Sequence, residues 1–175
     1  CHESAVGPRG RFAAKAHGGC VHLCVVGPTG SPRAQIEELE RLAVALLANP
    51  AALCVYFPAG ESLRDGHVIG GIRAMAEEQD ALPLQTWLNG RVADVGMGMQ
   101  VADVVGLGQI GQLDAEAVFP LQDELLTFEV LGFIFDVAHH LAAAGGALAD
   151  GVIYEGHGGL RWRAGISVEA KNPPT

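Results

Sequence analysis

Basic side chains are scarce in this chain: 11 Lys and Arg stand against 20 Asp and Glu, a formal charge of -9. Such a field repels phosphate backbones and anionic headgroups, so neither nucleic acid nor a membrane surface is expected as a partner. A basic protein is the partner it would steer. Cysteine is sparse too, with Cys1, Cys20, Cys24 and Cys54 showing no even spacing and no Cys-x-x-Cys pair. No disulfide framework is expected, and reduced thiols in a cytoplasm fit best. The first twenty residues hold no apolar run of the kind that drives secretion, so no leader is expected. The chain opens on Cys1 and not Met, as a piece of a longer protein would. The strongest apolar stretch, Leu125 to Leu148, is interrupted by Glu129, Asp136, His139 and His140, which predicts a packed helix and not a membrane span. Internal repeats are absent. Ser4, Ser31, Ser62 and Ser167 lie in no Gly-x-Ser-x-Gly elbow, and neither a Walker loop nor a His-Glu-x-x-His helix occurs.

What is present reads as one packed core. Of 175 residues, 49% are apolar and 18% charged, the composition of a globular domain and not of a disordered chain. Residues 1–18, rich in small residues, read as a weakly structured arm, and residues 19–175 as a single α+β domain. Cys20 to Val26 has strand character, and Ser31 with Pro32 predicts an N-cap and first helical position for a helix to about Ala48. Its apolar face is Ile36, Leu39, Ala43, Leu46 and Leu47. A strand at Leu53 to Phe57, a helix over about Ser62 to Gln79 and a strand at Leu84 to Leu88 follow. Asn89-Gly90 has the letters of a two-residue hairpin turn. A strand or two over residues 93–111, a helix from Leu125 to Ala144, a turn at Asp150-Gly151 and strands near Val152 to Tyr154 and Leu160 to Val168 complete the reading. The expected core includes Leu23, Val25, Leu39, Leu46, Val55, Phe57, Ile72, Trp87, Phe133, Val137 and Trp162.

Three constellations bear on chemistry. Gly106-Leu107-Gly108-Gln109-Ile110-Gly111 matches the dinucleotide pattern letter for letter. Only Gln112 to Phe119 precede Pro120, too little for the helix that should hold a pyrophosphate, so a turn or bulge and no bound cofactor are expected. Cys20, His22 and Cys24 leave one face of an extended strand, but i and i+4 are roughly 13 Å apart there, so buried packing and no metal are expected. Asp136, His139 and His140 share one helix, with spacings that bring the carboxylate beside both imidazoles. A partly exposed polar helix face explains the same letters. With Glu155 and His157 of the glycine loop at 156–159, these three are the candidate catalytic residues of a metal-assisted hydrolase. Trp162 between Arg161 and Arg163 alternates as a strand does, with the indole inward.

Several segments in order resemble the uncharacterised family known as domain of unknown function 4261. They are Ala52 to Arg64, with Gly60-Glu61-Ser62-Leu63-Arg64; Leu82-Pro83-Leu84-Gln85-Thr86-Trp87; Gly106 to Gln109; Asp114 to Ala117; Asp150-Gly151; and Arg161-Trp162-Arg163. The sequence departs from the family where Val152-Ile153 replaces a polar pair and where an Asn is missing at Phe57-Pro58. The resemblance implies a complete α+β domain over residues 20–174 and no particular activity. The expected architecture is α+β, with a mixed, largely antiparallel sheet of about five or six strands and three main helices mostly on one face. The expected function is a non-enzymatic protein-binding or regulatory module, an immunity-type neutraliser of a bacterial cytoplasm among the forms it takes. The alternative is the metal-assisted hydrolase of Asp136, His139 and His140.

Overall fold

In the computed structural model, which describes residues 18–24, 31–121, 124–144, 148–156 and 159–166, the first helix starts where its letters require. Ser31 is extended, and its Oγ accepts from the Ala34 N–H at 3.2 Å. Pro32 follows at a position whose N–H would be unpaired in any case. This helix, α1 (Pro32–Leu47), buries Ile36, Glu40 and Ala43, while Leu39 is half-buried and Leu46 exposed. The buried stripe is therefore rotated from the purely apolar one, because Glu40 has an inward partner: its Oε2 accepts from the Trp87 indole N–H at 3.2 Å.

Strands β1 (Val55–Phe57) and β2 (Ser62–Arg64) pair as an antiparallel hairpin. Helix α2 (Gly66–Glu78) starts later than the expected Ser62, since Asp65 is its cap and accepts from Val68 N–H at 2.9 Å. Ser62 and Arg64 are buried and reach residues 84–88. Ser62 Oγ donates to the Thr86 carbonyl at 3.2 Å, and Arg64 donates from Nε to Gln85 at 3.1 Å and from Nη2 to Leu88 at 3.2 Å. Gln109 Nε2 reaches the Trp87 carbonyl at 3.5 Å. Those carbonyls are spoken for by side chains, and the segment forms a 3-10 turn at Leu84–Thr86 in place of the expected strand. Gly60 completes the clamp, since a Cβ there would stand 2.0 Å from the Trp87 carbonyl oxygen.

Strands β3 (Asn89–Gly96), β4 (Met99–Val105) and β5 (Ala115–Pro120) form a sheet in that order. Asn89 and Gly90 lie inside β3 and make no hairpin turn. Gly90 answers a packing demand: a Cβ there would stand 2.6 Å from Phe135 Cε2 and 3.0 Å from Leu131 Cδ1. The reversal falls at Met97 and Gly98, with φ of 55° and 71°, the left-handed pair that a tight two-residue hairpin turn needs. Helix α3 (Glu124–Ala144) packs on β4 and β5. Its Val130, Ile134, Ala138 and Leu141 form a buried stripe with Ala115, Ala117 and Phe119 of β5. Each large aliphatic buried there stabilises the fold by about 1.5–3 kcal/mol. Leu126–Ala143 is long and apolar enough to cross a membrane by length and composition. Inside the sheet, Arg91 and Asp103 are buried and paired, Nε to Oδ1 at 3.0 Å and Nη2 to Oδ2 at 2.5 Å.

A last antiparallel hairpin joins β6 (Ile153–Glu155) to β7 (Arg161–Arg163), with Tyr154 opposite Trp162. Trp162 is half-buried between two exposed arginines, as its alternation predicts. The fold is α+β. Among the described residues its strands are divided among three antiparallel sheets, of two, three and two strands, in place of the single mixed sheet expected. Residues 18–24 contribute no strand: they are irregular, and Cys20, His22 and Cys24 are exposed, because no neighbouring strand gives them a face to bury. Leu23 is half-buried, and Val25 and the arm at residues 1–17 lie outside the described residues. Of the remaining expected core, Phe57 and Trp87 are buried, while Val55, Ile72, Phe133 and Val137 are half-buried. The chain divides into two compact units, Cys1–Asn89 with Gln109–Gly111, and Gly90–Gly108 with Gln112–Thr175.

Candidate functional site

In the second unit, α3 and the hairpin after it enclose an open groove of about 440 Å³. One stripe of α3, at i, i+3, i+4 and i+7, supplies Phe133, Asp136, Val137 and His140, and Leu148, Tyr154, Glu155 and Gly156 face them. The stripe is held by ring packing. Phe133 stacks on Trp162 with centroids 5.4 Å apart, and Phe119 meets the same indole edge-on at 6.4 Å. The Tyr154 hydroxyl accepts from the Ala149 N–H at 3.3 Å, tying the groove to the turn before β6.

The five sequence candidates are only partly gathered. Asp136 and His140 line the groove together, and the segment bearing Glu155 does meet them. Glu155 is itself part of the groove lining, at its rim, where register pairs it with Arg161. His139 is half-buried and absent from the groove lining, and burial holds its imidazole below the usual range against the opposing charge of Asp136. His157 lies outside the described residues. Among the described residues no group of three or more His, Cys, Asp or Glu is placed to hold a metal ion. The groove thus offers aromatic and aliphatic walls with an Asp–His edge.

The glycine segment 106–111 is a 3-10 turn, Leu107–Ile110, between β4 and β5. Asp114 Oδ1 accepts from the N–H groups of Gly106 at 2.9 Å and Leu107 at 2.8 Å. An internal carboxylate therefore sits where these amides would face the phosphates of a dinucleotide. Burial raises the Asp114 pKa, while those backbone amides and the Arg91 charge pull it down.

A different part of the second unit carries the surface that sequence reasoning missed. At the hairpin end of the three-stranded sheet, Met97 is 99% exposed, Phe128 63% and Leu121 53%. Their proximity follows from three bonds or pairings. Leu121 N–H donates to the Gly98 carbonyl at 2.7 Å; Met99 is in register with Pro120; and Thr127 Oγ1 bonds Gln100 Oε1 at 3.3 Å, bringing the start of α3, with Phe128, to the same end. Asp94, bonded to the turn at Gly96, and Glu129, next to Phe128 in α3, are exposed. From Val92 to Ala138 the sequence has no Lys, Arg or His, against Asp94, Asp103, Asp114, Glu116, Asp123, Glu124, Glu129 and Asp136. The sequence signals were that base-free run and a Met set between two glycines. No family model matches the chain, and no curated protein or solved structure matches it.

Proposed function

We propose that the chain is a non-enzymatic protein-binding module, of the regulatory or immunity type, whose partner is a basic protein. The observation that carries this reading is the exposure of Met97, Leu121 and Phe128 around one end of the three-stranded sheet, in a stretch with no basic residue. Large apolar side chains gathered on a surface have no stabilising role inside the fold, and with a charged rim they have the anatomy of a contact surface. The rim acids and the net charge of -9 complement a basic partner and speed its encounter. The free thiols of Cys20, Cys24 and Cys54 support a reducing, cytoplasmic setting.

The test is selection from a yeast-displayed library of genomic fragments of the source organism, long enough to fold as domains. Enriched clones are expected to be basic in net charge and to lose binding to the Phe128→Asp variant. Enrichment of no clone, or of clones that bind Phe128→Asp as well as the unaltered chain, overturns the reading.

A further inference from the structure

We infer that this surface engages by insertion: the turn at Gly96–Gly98 presents Met97 as a knob for a concave apolar pocket ringed by basic groups on the partner. The inference rests on the protein-binding reading and specifies the shape and chemistry of what is bound.

Among the described residues, Met97 stands alone as a large apolar residue with its side chain wholly in solvent. It also occupies a backbone conformation that its type disfavours, with φ at 55°. A β-carbon in the left-handed region costs about 1–2 kcal/mol, which Gly would avoid entirely. The turn needs the backbone conformation, but the fold gains nothing from having a methionine in it, so both its exposure and its strain are unfavourable to the isolated chain. Strain and exposure at one residue are what a presented contact residue shows.

The turn is also held in place. Asp94 Oδ1 accepts from the Gly96 N–H at 2.7 Å on one side, and the Gly98 carbonyl accepts from Leu121 N–H on the other. Gly96 and Gly98, with φ of 83° and 71°, complete a left-handed run of three. A turn fixed before encounter loses little freedom on binding, which favours affinity. The thioether is unbranched and polarizable, suited to filling an apolar pocket. Leu121 and Phe128 then form the shoulder that keeps water from the contact. Edge-strand addition along β3 or β5 is the competing mode. It would use main-chain groups and be indifferent to the side chain at position 97.

The fold supplies an unusually clean variant. Met97→Gly deletes the knob and relieves the backbone, so it leaves the melting temperature unchanged or higher. On clones selected as above, Met97→Gly is expected to bind about 30-fold more weakly, the loss typical of a central anchor. Binding within threefold of the unaltered chain, with Phe128→Asp still inactive, sinks insertion and leaves the binding surface standing. If both variants bind normally, or no clone enriches, the protein-binding reading fails and insertion with it. Sedimentation with neutral phosphatidylcholine vesicles is the second arm. Vesicle binding that Met97→Gly abolishes would assign the knob to a membrane and overturn the proposal; no sedimentation of either protein is expected.

Discussion

The clamp around residues 60–64 and 84–88 and the hairpin end around Met97 reverse each other's chemistry. In the clamp, Ser62, Arg64 and Glu40 are buried and bonded to the backbone or indole of residues 85–88. At the hairpin end, Met97, Leu121 and Phe128 are apolar and in water. Buried polar groups persist where the fold uses their bonds, whereas large apolar groups gathered in water have no such use within the fold. The polar side chains of Ser62, Arg64 and Asp114 therefore serve architecture. The letters that look inert carry the surface proposed to meet a partner.

That contrast breaks hardest at the buried Arg91–Asp103 pair. Asp103→Ala strands a guanidinium in the sheet and is expected to cost about 3–5 kcal/mol in urea unfolding. The double change Arg91→Met with Asp103→Leu should recover much of the loss, because no unpaired charge is left. A double variant as unstable as the single one would mean that the pair fixes the sheet by geometry and not by mutual neutralisation. Gly60→Ala tests the clamp itself. Its Cβ would stand 2.0 Å from the Trp87 carbonyl oxygen, which is backbone and yields only by moving residues 84–88. A loss of about 1–3 kcal/mol is expected, and an unchanged midpoint would show that the close approach is relaxed in solution.

The same contrast explains what the sequence made legible. Ser31-Pro32, the extent of α3 and the alternation at Trp162 were readable because each is a local signal: a cap, a period, a parity. Asn89-Gly90 misled because Gly90 is required by Phe135, 45 positions away, and not by a turn. Residues 84–88 misled because their carbonyls are claimed by side chains of a different hairpin. Asp136 and His140 were found as one stripe by helical spacing. Glu155 was found by sequence proximity to a glycine loop, and only the structure brings it to the groove and pairs it in register with Arg161. Exposure of Met97 is a tertiary property with no periodic signature at all.

A smaller effect is expected at the glycine turn. Asp114→Ala removes the carboxylate that accepts from Gly106 and Leu107, and because the residue reaches the surface while its carboxylate is only partly buried, water can replace part of it. A loss of about 1 kcal/mol follows. Added sulfate should restore more stability to Asp114→Ala than it adds to the unaltered chain, because the amides then face an anion from solution. Equal sulfate responses in the two proteins would show that the amides do not form an anion-accepting pair once the carboxylate is gone.

The smallest effect belongs to Glu40, and it is read as a slope. Burial raises its pKa above the ordinary 4.5, against the opposing pull of Arg73 and the Trp87 N–H. Arg73 Nη1 is 3.9 Å from Oε1, near enough for attraction and too far for a hydrogen bond. Between the unfolded and folded pKa values the folded chain therefore holds more protons, so its stability falls as pH rises. The contribution is complete below the ordinary value and is lost as pH climbs through the raised one. Glu40→Gln keeps an acceptor for the indole and has no charge to bury. Its stability relative to the unaltered chain should therefore improve as pH rises above the ordinary 4.5 and level off once pH has passed the raised folded value. Urea midpoints at a series of pH values measure this directly. If the relative stability of Glu40→Gln instead worsens as pH rises, the ion pair with Arg73 outweighs the cost of burial, and Glu40 joins the groups whose charge stabilises the clamp.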